Sequence, residues 1–113
     1  MAEGSDGRRS SEHRILVVED SPLASALIVQ VLQSLGFDDI HCAVNGTQAL
    51  AYFEDGILFD LVICDWMMPK MTGLDVLKQL RASHVEIPFI MITAKKDDDA
   101  YAVAKTHGVT AFI

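Results

Sequence analysis

Residues 61–81 read LVICDWMMPKMTGLDVLKQLR, a stretch that passes from a strand through a loop into a helix. The first residues are apolar without alternation, which is typical of a strand that is covered on both faces. The loop is rich in methionine and contains a proline, and the remainder repeats leucine at helical spacing. We therefore expect a strand over Leu61 to Cys64 and a helix over Gly73 to Arg81 whose leucines face the core.

The same alternation extends in both directions along the chain. Upstream, a strand over Ile15 to Val18 leads into a helix with Ser21 as its N-cap and Pro22 at its first position. The other expected elements are strands over Ile40 to Val44, Phe89 to Ile92 and Thr110 to Ile113, and helices over Thr47 to Phe53 and from the aspartates at 97–99 to near Gly108. This alternation indicates right-handed βαβ units and a parallel sheet with helices on both faces.

The composition supports a single domain. The chain has 113 residues, half of them apolar, which suffices for one hydrophobic core but not comfortably for two. Residues 1–13 are rich in Gly, Ser, Arg and Glu without periodicity, and we expect a flexible leader there. The domain itself is expected over residues 14–113.

Charge and hydropathy restrict the class of partner. Lys plus Arg number 9 and Asp plus Glu number 16, and the resulting formal charge of −7 disfavours unaided binding of nucleic acid. No apolar run is long enough for a transmembrane helix and no signal segment opens the chain, so we expect a cytoplasmic protein without membrane association. Cys42 and Cys64 lie in apolar, strand-like runs and are both expected to be buried free thiols.

Polar residues follow three of the predicted strands at the point where each strand ends. Glu19 and Asp20 follow the first strand, Asp65 follows the third and Thr93 follows the fourth. Parallel strands end together at the carboxyl edge of a sheet, where open α/β sheets bind their ligands. Carboxylates that converge there repel each other unless a cation is present, and Mg2+ suits a site of few carboxylates, waters and a phosphoryl group.

Most of these residues have a simpler explanation when each is taken alone. An Asp after a strand is most often a turn former or a helix N-cap, which would account for Asp20 before Pro22. Thr93 taken alone is explained as an ordinary β-branched strand residue. Asp65 is harder to explain in this way because an apolar turn follows it, and the convergence of the carboxylates at one edge favours a site.

Four segments together resemble the response-regulator receiver domain. They are VVEDS at 17–21, Asn45-Gly46 followed by Ala49-Leu50, DLVICDWMMPKMTG at 60–73 and IMITA at 90–94. They occur in the order and at the spacing of that family, and the run from Asp65 to Gly73 is the most specific of them. The resemblance covers nearly everything from Ile15 to Ile113 and implies a flavodoxin-like, doubly wound parallel sheet of five strands in the order 2-1-3-4-5.

The resemblance also implies a chemistry. Asp65 would accept a phosphoryl group from a histidine kinase or a histidine phosphotransfer protein and form an acyl phosphate. Asp20, Asp65 and the backbone carbonyl of Met67 would hold Mg2+ or Mn2+, with Glu19 acting through water, although the family more often has Asp at the position of Glu19. Such a domain is a switch for a downstream effector and not an enzyme, with at most slow autodephosphorylation.

Two further residues match the switch of that family. Thr93 would donate its hydroxyl to a phosphoryl oxygen, and its movement would free space for the ring of Phe112 to turn inward. The family often has Tyr at the position of Phe112, and a role as a core aromatic explains this Phe equally well.

The family places a Lys-Pro pair after the fifth strand and then a last helix, whereas the chain ends at Ile113 before both. Lys95 and Lys96 do not match the position of that lysine. We therefore expect a longer parent chain, with the domain truncated here at its fifth strand and its last helix absent. If this were the whole molecule, one face of the sheet would lack its helix, and such an apolar surface favours dimerisation, swapping or aggregation.

Two other functions compete with that of a phosphoacceptor. A haloacid-dehalogenase-like phosphatase also uses a strand-end Asp with magnesium, but it requires a second Asp two residues later, where this chain has Met67. The main alternative is a receiver-like interaction module that takes no phosphoryl group. The carboxylates and Thr93 argue against that alternative, and the truncated end of the chain argues for it.

Overall fold

Five parallel strands form the centre of the structure, a computed structural model that describes residues 12–83, 85–92 and 98–113. The strands are β1 (Arg14–Val18), β2 (Asp39–Ala43), β3 (Leu61–Asp65), β4 (Phe89–Ile92) and β5 (Ala111–Phe112). The helices are α1 (Pro22–Ser34), α2 (Gly46–Glu54), α3 (Gly73–Ala82) and α4 (Asp98–Thr106). The sheet order is β2-β1-β3-β4-β5, with parallel pairing throughout. The predicted fold is confirmed, and the elements differ from the prediction only at their ends.

The sheet separates two apolar layers. One layer includes Leu16, Val18 and Val62 and is covered by residues of α3 such as Leu77. The other layer includes Ile15, Val17 and Ile63 together with Leu32 of α1. Successive side chains of a strand point to opposite faces, so residues 15–18 of β1 and 61–64 of β3 must all be apolar to serve both layers. This requirement explains the lack of alternation in their sequences.

The start of α3 is fixed by a capping box. The Oγ1 of Thr72 accepts the N–H of Asp75 at 3.2 Å, and the Oδ2 of Asp75 accepts the N–H of Thr72 at 3.0 Å. Two backbone donors that the helix cannot satisfy internally are paired in this way. The cap sets Gly73 as the first helical residue and brings the N-terminus of α3 to the carboxyl end of β3.

Helix α1 leaves much of its apolar surface exposed. Leu32 is its buried residue, whereas Leu23, Leu27, Val31 and the C-cap residue Leu35 are 72%, 55%, 58% and 62% exposed. These four residues, here called the α1 stripe, are spaced four apart and therefore lie along one side of the helix. The helix carries no charged residue. Self-association through an apolar surface stays a prediction.

The prediction for one of the two cysteines was wrong. Cys64 is buried as expected, but Cys42 is exposed. Its strand, β2, is at the edge of the sheet. A groove of about 410 Å³ opens between the end of β2 and α1, and Cys42 lines this groove together with Val29 and Val44. Within the described part of the chain, no helix is long and apolar enough to cross a bilayer.

Candidate functional site

Three carboxylates meet at the carboxyl edge of the sheet. Glu19 and Asp20 directly follow β1, and Asp65 is the last residue of the neighbouring β3. One oxygen of each lies within 4.8 Å of the others. The convergence that the sequence predicted is therefore confirmed, and it follows from the pairing of β1 with β3 in the same direction.

Glu19 is the buried member of the cluster, with 7% of its surface exposed. Its N–H donates to the carbonyl of Ala43 at 3.0 Å, and its Oε2 accepts the N–H of Ser21, also at 3.0 Å. Burial is the main cause that raises the pKa of Glu19 to about 7, against the opposing hydrogen bond from Ser21. The charge of Asp65 and hydrogen bonds with Asp20 and Asp65 raise this pKa further. Glu19 is therefore partly protonated close to neutral pH.

The raised pKa of Glu19 predicts a pH-dependent stability of the cation-free protein. The folded state binds this proton more tightly than the unfolded chain, where the pKa is near 4.5. The stabilisation is fully present below the unfolded value and is lost as the pH rises through about 7. In EDTA, the free energy of unfolding measured with urea should therefore fall from about pH 5.5 to about pH 8 more steeply than in Glu19→Gln, whose amide does not titrate. Parallel pH profiles of the two proteins would contradict this expectation.

The chemistry of the cluster suits a hard divalent cation. All three candidate ligands are carboxylate oxygens, the donors that Mg2+ prefers in proteins. Protonation of Glu19 or binding of a cation would each reduce the mutual repulsion of these carboxylates. Met67 was predicted to contribute its carbonyl. Its N–H donates to Oδ1 of Asp65 at 3.2 Å, so its backbone lies beside the cluster.

The loop between β3 and α3 folds tightly against Asp65. The N–H of Gly73 donates to the carbonyl of Trp66 at 3.0 Å, and Lys70 adopts the left-handed conformation with φ 68°. A Cβ built on Gly73 would lie 2.3 Å from the carbonyl oxygen of Asp65. This requirement for glycine was not predicted from the sequence. The available signal was a glycine at the first position of a helix, where better helix formers are normally found.

Comparison with known proteins shows the family. The family model described as the response regulator receiver domain matches residues 15–113. The chain is a response regulator receiver domain. It is thus a phosphoacceptor signalling domain of two-component systems, and the family, fold and class of function predicted from the sequence are confirmed.

Curated relatives and solved structures agree with this assignment. The chain is 35% identical over 102 residues to the chemotaxis protein CheY of Pseudomonas aeruginosa, a match that covers 88% of this chain and 82% of the relative. The structure of CheY4 of Vibrio cholerae superposes with a TM-score of 0.79 at 28% identity, covering 89% of this chain and 84% of that one. The regulator TrrA of Thermotoga maritima, solved with Mg2+ and BeF, gives a TM-score of 0.78 at 32% identity over 89% and 84% of the two chains. Receiver domains are switches that interact with histidine kinases and effectors.

The structure describes one of the two residues that were predicted to form the switch. Thr93 lies outside the described residues. The ring of Phe112 is partly buried and packs edge-on against Trp66, with 5.9 Å between centroids, and against Tyr101, with 5.8 Å. The aromatic contact joins the residue next to Asp65 to helix α4, and it was not predicted from the sequence. Sequence offered no signal for it beyond the aromatic residue types.

Proposed function

We propose that this receiver domain accepts a phosphoryl group on Asp65 and binds Mg2+ or Mn2+ beside it. Asp20, Asp65 and the carbonyl of Met67 would hold the cation, and Glu19 would act through water. The observation that carries the proposal is the cluster of three carboxylates whose oxygens lie within 4.8 Å of one another at the carboxyl ends of β1 and β3. Burial is the largest cause of the raised pKa of Glu19, and the nearby charge of Asp65 adds to it, so a cation beside both carboxylates would favour their ionised forms.

Asp65 is the nucleophile in this proposal. Its carboxylate oxygen attacks the phosphorus of a phosphohistidine, the O–P bond forms, and the P–N bond breaks so that the electron pair returns to the donor imidazole. The N–H of Met67 donates to Oδ1 of Asp65 and restricts the orientation of the carboxylate. A bound cation would supply positive charge to the transferring group.

The partners follow from the same proposal. The phosphoryl donor would be a histidine kinase or a histidine phosphotransfer protein in the cytoplasm. The phosphorylated domain would then act on an effector domain or protein. Thr93 would donate its hydroxyl to the phosphoryl group, and Phe112 would change its packing in response. Phe112 contacts Trp66, the neighbour of Asp65, and Tyr101 of α4, so a change in its packing would reach that helix.

The direct test is phosphorylation by a small donor. Treatment of the protein with acetyl phosphate and Mg2+ should add one phosphoryl group to the intact mass, and EDTA should prevent the addition. Peptide mapping should place the group on residues 61–70. Full folding and Mg2+ binding without any added mass would overturn the proposal and favour the interaction module.

A further inference from the structure

We propose that Arg81, near the C-terminal end of α3, is a positioning residue that makes the connection between α4 and β5 move together with α3. Through that connection it would tie the packing of Phe112 to the carboxylate site. The positioning role of Arg81 stands on geometry alone, whereas its coupling to the carboxylate site rests on the proposed phosphorylation of Asp65.

Arg81 joins two backbone connections with its guanidinium group. Its Nε and Nη2 both donate to the carbonyl of Gly108, at 3.2 and 2.8 Å. Its Nη1 donates to the carbonyl of Val85 at 2.7 Å. Val85 belongs to the connection from α3 to β4, and Gly108 belongs to the turn from α4 to β5. The planar guanidinium group is suited to such a fork, whereas a lysine would supply a single point of contact.

These hydrogen bonds lie at the edge of an open cleft, beside Val85 and Val109, which pack against the core. A cleft of about 900 Å³ lies between the C-terminal ends of α3 and α4, and Arg81 and Gly108 both line it. Gly108 has φ +90°, and a Cβ there would lie 3.1 Å from the Nε of Arg81. Glycine therefore serves two purposes at 108, because it permits the left-handed turn and leaves room for the guanidinium group. Within the proposal, Arg81 adds to the contacts that hold this turn and ties it directly to α3.

The opposite end of α3 lies at the carboxylate site. Gly73, the first residue of the helix, lies so close to Asp65 that a Cβ would lie 2.3 Å from its carbonyl oxygen. The helix has 10 residues, so it spans about 15 Å as one rigid element. A displacement of the Asp65 backbone would thus be carried along α3 to Arg81, and from Arg81 to the turn that precedes β5 and Phe112.

The first test compares Arg81→Met with Lys78→Met by amide hydrogen exchange. Arg81→Met keeps the apolar stem and removes the three donated bonds, and Lys78 lies on the same helix beside the same cleft. The amides of Thr110 and Ile113 donate to carbonyls of β4. In Arg81→Met they should exchange at least about tenfold faster than in the wild type, whereas in Lys78→Met they should exchange at the wild-type rate. Arg81→Lys should give an intermediate rate.

Two results would overturn the positioning role. One is exchange at Thr110 and Ile113 in Arg81→Met that stays within about twofold of the wild type. The other is an equal acceleration of the amides of β1 and β3, because that pattern reports a global loss of stability and not a local release of the turn.

The second test addresses the coupling to the carboxylate site. In the wild type, acetyl phosphate with Mg2+ should shift the ring signals of Phe112 and Tyr101 in NMR spectra. In Arg81→Met the shift should fall to about half or less, although Asp65 takes up phosphoryl to the same extent by intact mass. An undiminished shift would refute the coupling. Absence of phosphorylation in the wild type would refute the proposed function and the coupling, while the exchange experiment would still decide the positioning role.

Discussion

Replacing Asp65 with asparagine is expected to abolish phosphoryl transfer and, at the same time, to stabilise the cation-free protein near pH 8. Asparagine keeps the shape of the side chain but lacks the carboxylate nucleophile, so incorporation should fall at least about a hundredfold. The charge of Asp65 is one cause of the raised pKa of Glu19. Its removal lowers that pKa and reduces the cost of ionising Glu19 in the folded state.

Two measurements check this expectation. Intact mass after treatment with acetyl phosphate and Mg2+ reports the transfer, and urea unfolding in EDTA near pH 8 reports the stability. Asp55→Asn is the matched control, because Asp55 is an exposed carboxylate at the C-cap of α2 and not a member of the cluster. The control should match the wild type in both measurements. Phosphoryl incorporation retained by Asp65→Asn would assign the acceptor to another residue.

Replacing Gly73 with alanine is expected to have the largest effect on stability. A Cβ at this position would lie 2.3 Å from the carbonyl oxygen of Asp65 and 2.8 Å from Sδ of Met91, a residue with no exposed surface. The carbonyl is backbone in a central strand, so it cannot yield without moving Asp65. We expect a loss of about 2–3 kcal/mol in the free energy of unfolding. Since Asp65 is displaced, the affinity for Mg2+ should also fall by about tenfold.

Gly56→Ala separates this steric effect from backbone strain. Gly56 has φ +83°, but a Cβ there would meet nothing within 4 Å. Its replacement should cost about 1–2 kcal/mol, the penalty of a left-handed alanine, and leave Mg2+ binding unchanged. Urea unfolding and titration calorimetry measure the two quantities. If Gly73→Ala retained the stability and the Mg2+ affinity of the wild type, the close approach of α3 to Asp65 would be refuted.

Local pattern was sufficient to predict the elements of the fold and the edge that bears the site. The apolar runs of β1 and β3 indicate burial on both faces, and the acidic residues that end them must then share one edge. The order of the strands came from the resemblance, because periodicity describes each element but not its neighbours. The convergence of Glu19, Asp20 and Asp65 was predicted on both grounds, whereas the roles of Thr93 and Phe112 stay predictions.

Tertiary contacts account for what the sequence analysis missed. Cys42 lies in an apolar run but on an edge strand that α1 covers incompletely, and edge position is not visible in a local pattern. The burial of Glu19 depends on how β1 and β2 pair. Arg81 and Gly108 are 27 residues apart, so neither residue type alone indicates their contact. By local pattern Gly73 is only the first residue of a helix, whereas in the folded structure its lack of a side chain lets α3 approach the backbone of Asp65.

The α1 stripe has a practical consequence for assays of this protein. Dyes that fluoresce on apolar surfaces are commonly used to detect unfolding, and the stripe offers them such a surface in the native state. Thermal-shift curves recorded with these dyes would begin from a high signal and compress the transition. Trp66 is the single tryptophan of the chain and lies next to the proposed acceptor. Its intrinsic emission is therefore the better reporter of unfolding.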